Sequence, residues 1–385
     1  MSQKTSRPNS ISTATNIQMQ RFPLIDVLRG FSALLVVFYH VLAHRDWPNF
    51  DTTGIGKLPM LGWIGVDMFF VISGFVIGKT AMDGYRSGQP WRHHYFERRL
   101  RRIVPLYVTT IALYLFLVNP EILRHGWASV MHVAAHLGFV HNIWHETHGS
   151  INPPNWSVGL EMQFYVLMAL SAPWLARTAT WKVFMVWVGI AIAWKYATTL
   201  ALPPGASIPI IQFIYASQLP GVLDEFVCGI CIAKLLHANV LQFTRLRFLL
   251  WASAAVALLT AAWITVGTGA LYWQSATTII LWRTLVCAGF AALLACVVML
   301  PVSGGWLMRP FRYLGEISYG IYLWHMPVLL TLLAKTNLQG GKLLWATFAC
   351  TITLAALSWH GFEKLWLNGK GDHKPASGGA LPVRG

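Results

Sequence analysis

The chain has 385 residues, of which 55% are hydrophobic and only 11% charged, with a formal net charge of +15. A soluble domain carries about a quarter charged residues, so this composition excludes an ordinary soluble fold. The basic residues flank apolar runs rather than form one patch, which argues for a membrane protein and against nucleic acid as partner.

Residues 1–20 are polar, without the apolar core of a signal peptide, and are expected to be a disordered cytoplasmic tail. Residues 368–385, rich in Gly, Lys and Pro, are expected to be a second one. Between them, residues 21–367 form one membrane domain. Apolar segments long enough to cross a hydrocarbon core of ~30 Å begin near Leu24, Leu61, Val104, Trp156, Trp181, Phe213, Phe248, Thr277, Tyr313 and Leu343. The expected fold is therefore an all-α, multi-pass transmembrane bundle of about ten spans. Lys79, Arg86, Arg92, Arg98, Arg99, Arg101 and Arg102 follow the second span, and basic residues recur in alternate later connections. That alternation predicts both termini on the cytoplasmic side.

The first predicted helix carries Arg29 and His40. Eleven residues at ~100° each return to within about 20° of the starting face, so the two side chains share a face about 16 Å apart along the axis. Ionisable groups at membrane depth mark function by default. A neutral imidazole serves as general base towards a hydroxyl, and a guanidinium suits phosphate or carboxylate. The alternative is a structural network, with Asp26 pairing Arg29 and His40 capping a neighbouring helix.

The second span opens on Gly65-Val-Asp-Met-Phe-Phe-Val-Ile-Ser-Gly-Phe75. Its Asp67 is placed either to orient His40 or to pair an arginine, while Gly65 and Gly74 permit close helix approach. The third is preceded by Arg98, Arg99 and Arg102, whose spacing gathers at least two on one helical face. Such a cluster binds the phosphates of a soluble donor or lipid headgroups. A histidine-rich segment follows, with His132/His136 and His141/His145 at chelating spacing but no full ligand set, so no metal site is expected. In the fourth span, Trp156 and Glu161 enter from the outer side. Glu161 should face the interior at a depth similar to His40, or hydrogen-bond Gln163 or Tyr165 as a purely structural group. Near the end, Tyr319, Tyr322 and His325 stand at i, i+3, i+6 and line a cavity in one reading. In the other, His325 satisfies backbone freed by Pro327. The five cysteines all fall in apolar stretches and are expected to be buried thiols; Cys228-Gly-Ile-Cys231 reads as helix packing. No Walker loop, dinucleotide fingerprint or nucleophile elbow is present.

Taken in order, these segments resemble the acyltransferase type 3 family of integral membrane acyltransferases. The likeness runs from about Phe22 to Glu363. It rests on Arg29 and His40 with ten residues between them, Gly65 to Phe70, Arg98-Arg99 with Arg102, Trp156-Ser157 with Glu161, and Ile317 to His325. Two departures stand out: Met162 interrupts the family's Glu-Glu-Gln, so only Glu161 carries over, and Val27 replaces a glycine. The resemblance implies transfer of acetyl from acetyl-CoA to a hydroxyl of a glycan or other envelope molecule, in a bacterial inner membrane, with no permanently bound cofactor. It implies His40 as catalytic base, with Glu161 and Asp67 assisting, and donor binding by Arg29, Arg98, Arg99 and Arg102. Trp156, Tyr165, Tyr322 and His325 are the expected substrate-binding residues. A secondary transporter or flippase of a glycan or lipid-linked sugar, using the same buried charges for coupling, is the alternative, and a non-catalytic scaffold a third.

Overall fold

A computed structural model describes residues 22–44, 47, 50, 54–202, 209–266, 272–300 and 305–367. The two predicted tails lie outside these residues. Among the described residues the regular structure is helical, with no strand. Eight helices are long and apolar enough to cross a membrane: α1 (Pro23–His44), α2 (Ile64–Arg86), α3 (Arg92–Val118), α5 (Asn155–Arg177), α6 (Thr180–Ala201), α9 (Arg245–Thr265), α10 (Thr278–Met299) and α13 (Gly340–Leu367). A short helix, α4 (Trp127–Leu137), lies between α3 and α5. A ninth span results if α11 (Trp306–Glu316) and α12 (Ser318–Lys335), bent by 57° at Ile317, count as one.

The expected count of about ten is therefore not reached by unbroken helices. The differences fall on the segment beginning near Tyr313, which is bent at Ile317, and on the one beginning near Phe213. Leu219-Pro220-Gly221 divides it into α7 (Pro209–Ala216) and the 15-residue α8 (Leu223–His237). Proline lacks the amide that would continue the helical ladder. At 1.5 Å per residue, α8 alone is about 22 Å long and falls short of the hydrocarbon thickness.

In lipid, helices associate through close packing rather than by escape from water, so small residues set the contacts. The stripe Asp67, Val71, Gly74, Gly78 on α2 runs along α8. A methyl on Gly74 would stand 2.0 Å from Phe226 O, and one on Gly229 only 1.8 Å from Val71 O. Gly65 meets Ser32 of α1 in the same way, so both glycines serve the close approach their positions predict. By contrast, α9 buries only Ala255 and Ala262, while Leu246, Leu249, Leu250, Val256 and Ile264 are exposed, as suits a lipid-facing helix. No cysteine is disulfide-bonded; Cys228, Cys287 and Cys296 are buried as expected, whereas Cys350 is exposed on the outer face of α13.

Candidate functional site

A cavity of about 950 Å³ lies among α1, α2, α3, α5 and α12. Arg29 projects into it from α1, and Arg98, Arg99 and Arg102 from the first turns of α3. Glu161 and Tyr165 line it from α5, and Tyr319 and Tyr322 from α12. One helix therefore does gather all three arginines of the cluster, but their environments differ. Arg99 is pinned: its guanidinium donates to Tyr95 O (3.0 Å) and lies 3.8 Å over the Tyr95 ring. Arg101, also on the wall, is paired with Glu97 at 2.7 Å. Arg29, Arg98 and Arg102 make no hydrogen bond or ion pair among the described residues. The alternative pairing of Arg29 with Asp26 is not formed. Three guanidiniums without an ion-pair partner, converging on one cavity that the Glu161 carboxylate also lines, leave a net positive site suited to phosphates.

Glu161 belongs to this cavity. Its Oε1 accepts hydrogen bonds from Tyr165 Oη (2.7 Å) and Ser73 Oγ (3.2 Å). Gln163 turns away to Phe139 O and Asn142. Of the two readings of Glu161, the hydrogen bond with Tyr165 is formed, and Glu161 lines the arginine cavity, which His40 does not. Ser73 and Phe69, which sequence reasoning passed over, lie on the face of α2 that also presents Val66, and that i, i+3, i+7 spacing was the available signal.

His40 does not line this cavity. Ser157, Phe69 and Tyr322 line it, whereas His325 does not. Tyr322 Oη is held by Ser157 Oγ (2.8 Å) and donates to Pro154 O (3.1 Å), and its ring meets Phe69 edge-on at 6.0 Å. Behind Tyr322 lies the His325 ring, 5.7 Å away, and 4.9 Å beyond that the His40 ring. His40 Nδ1 is 2.9 Å from Val36 O in its own helix, so it caps no neighbour. A carbonyl accepts only from N–H, so the proton sits on Nδ1 and Nε2 keeps its lone pair as the basic nitrogen.

Of the two readings of Asp67, pairing with an arginine holds and orienting His40 does not: it faces Arg283 of α10 (3.9 Å), which also meets Glu225 of α8 (3.4 Å). Its place on the α8-facing stripe of α2 dictates this. Next to it, Lys195 of α6 bonds Asp224 at 2.7 Å, both fully buried, and Thr284 donates to the same Oδ2. This network ties four helices together away from the arginine cavity. Lys195→Met leaves Asp224 a buried charge without its cation, and is expected to cost about 3–5 kcal/mol. The thermal transition of the protein in detergent measures it, and adding Asp224→Asn should restore most of the loss.

Trp156 stays outside the cavity, stacking on His148 (5.8 Å) and meeting Phe213 (5.1 Å). The histidine segment before it does not assemble a ligand set: among the described residues no three His, Cys, Asp or Glu side chains form a metal-holding group. His136 and His141 stack at 4.0 Å, and burial pushes their imidazoles down to about 3 and about 4, so both are neutral at ordinary pH. Their role is to pack the connection between α3 and α5.

A family model described as an acyltransferase domain matches residues 22–360. The chain is 27% identical over 381 residues to the provisionally named peptidoglycan O-acetyltransferase YrhL of Bacillus subtilis, covering 89% of this chain and 54% of that protein. It is 29% identical over 318 residues to the provisionally named membrane-bound transacylase BcsY of Komagataeibacter xylinus (79% and 72%). To peptidoglycan O-acetyltransferase OatA of Listeria monocytogenes it is 24% identical over 341 residues (82% and 50%). The chain thus spans about half the length of the two peptidoglycan O-acetyltransferases it matches.

Proposed function

The chain belongs to the acyltransferase type 3 family, and from that premise we propose that it is an integral membrane O-acetyltransferase. The reading transfers acetyl from cytoplasmic acetyl-CoA to a hydroxyl of an envelope or exported polysaccharide. The observation that carries it is the cavity whose unpaired guanidiniums lead, past Tyr322, towards an imidazole with a free basic nitrogen.

By the distribution of basic residues, the arginine mouth faces the cytoplasm of a bacterial inner membrane, with both termini on that side. The donor's phosphates rest on Arg29, Arg98 and Arg102, and Arg99 with Tyr95 and Tyr165 forms the wall. The pantetheine arm runs along α1 over the ~16 Å from Arg29 to His40. Phe69 and Tyr322 stand across that path, so their side chains turn aside as the thioester arrives. The acceptor hydroxyl approaches from the opposite end. His40 Nε2 takes the hydroxyl proton, the oxygen attacks the thioester carbonyl, the C–S bond breaks, and the proton passes to the departing thiolate. In a two-step variant His40 carries the acetyl group transiently. Glu161 holds the Tyr165 and Ser73 hydroxyls on the donor side.

Membranes containing the protein, given acetyl-labelled acetyl-CoA and envelope polysaccharide, should place label in base-labile esters and release one CoA for each ester formed. A transporter would move glycan without acetyl-CoA and release no CoA. Glycan transport with no donor-dependent ester overturns the enzymatic reading.

A further inference from the structure

His325 is the residue whose surroundings the proposed reaction leaves unexplained. It is fully buried in α12, two residues before Pro327. A histidine there invites the reading that it satisfies the carbonyl freed by the proline. That carbonyl is Leu323 O, four residues back, and Asn152 Nδ2 already donates to it at 3.0 Å. His325 instead directs Nδ1 to Tyr322 O at 2.6 Å. As in His40, a carbonyl partner puts the proton on Nδ1. Its Nε2 is then a lone-pair acceptor, buried and without a hydrogen-bond partner among the described residues. Leaving such a group unmatched costs about 1–3 kcal/mol, so a purely structural histidine is poorly served here.

The two rings lie 4.9 Å apart between centroids, tilted by 53°. Both are locked in the same tautomer, and both keep a basic Nε2. We propose that His325 is a positioning residue for His40: its Nε2 accepts a hydrogen bond from the His40 Nε2–H formed when the acceptor hydroxyl is deprotonated. The inference rests on the acyl-transfer reading above. The proton balance is unchanged. The hydroxyl proton moves to His40 Nε2, is held between the two imidazoles while the C–O bond forms and the C–S bond breaks, and leaves on the thiolate sulfur. Each imidazole is anchored to its own helix backbone, α1 for His40 and α12 for His325. The unit therefore exists only where these two helices meet, at the far side of the Tyr322 barrier from the arginines.

The test uses the full chain in membranes with acetyl-CoA and envelope polysaccharide. His325→Asn keeps a donor for Tyr322 O and removes the basic Nε2 proposed to accept from His40. Its kcat for ester formation should fall by ~10²-fold or more, while the KM for acetyl-CoA stays within about threefold and the thermal transition is retained. His325→Gln, a second neutral replacement, should behave alike and covers the case in which the asparagine variant fails to fold. A folded variant that keeps kcat, or one that loses KM and kcat together, overturns the role of His325 while leaving the acetyltransferase reading intact. A wild-type chain that forms no ester under the same conditions overturns both.

Discussion

His40→Ala is expected to abolish acetylation of the acceptor while leaving donor binding in place. A positioned general base contributes about 10²–10⁴-fold to rate, and a histidine that also carries the acetyl group contributes more, so ester formation in membranes should drop by at least that range. The geometry makes the effect separable. His40 stands three turns of α1 above Arg29 and outside the arginine cavity, behind Tyr322 and His325. Nothing on the cavity wall touches its ring, so the KM for acetyl-CoA should be nearly unchanged. The substitution removes only a ring bonded to Val36 O of the same helix, so the fold should survive. Labelled acetyl-CoA, with ester and free CoA both counted, is the measurement. Acetylation retained by a folded His40→Ala protein would end the assignment.

Arg29→Ala should produce the opposite pattern. A hydrogen bond to a charged group contributes ~1.5–3 kcal/mol, equivalent to roughly a 10- to 150-fold rise in the KM for acetyl-CoA, with kcat little affected. Arg29 is the cavity guanidinium that α1 contributes, and it forms no ion pair among the described residues. Arg102→Ala should act in the same direction. Arg101 is the internal control, because Glu97 already occupies its guanidinium, and Arg101→Ala should change donor KM far less. Arg29→Lys restores charge but not the planar fork and should recover only part of the loss. Equal kinetics for Arg29→Ala and the wild type would place the donor's phosphates elsewhere.

The residues divide clearly in how far each could be read from the chain. Arg29 and His40 occupy one helix, so their shared face and axial separation follow from helical geometry alone. The same holds for Arg98, Arg99 and Arg102, which reach one cavity together because one turn of α3 carries them. Tyr319 and Tyr322 were recognised on their spacing and do line that cavity, as does Tyr165, which was named beside Glu161; His325, the third of the spaced set, does not. Asp67 was read with an arginine or His40 as partner; that α8 brings Glu225 and α10 brings Arg283 to its face of α2 was not legible. Glu161 was read with Tyr165 as one possible partner, and that bond is formed; the bond from Ser73, 88 residues away, was not legible.

By itself, the sequence determined that the chain is a multi-pass helical membrane protein of this family, which segments are apolar enough to span, and which polar groups ride together on a single helix. Those properties depend on composition and on the 3.6-residue period, and both are local. Only the tertiary structure decided that Tyr322 divides the arginine cavity from His40, that His325 is the imidazole facing it, and that the segment around Pro220 is broken. Such contacts arise between helices far apart in the chain, where small residues and hydrogen bonds set how closely the backbones approach, and no local period encodes that approach.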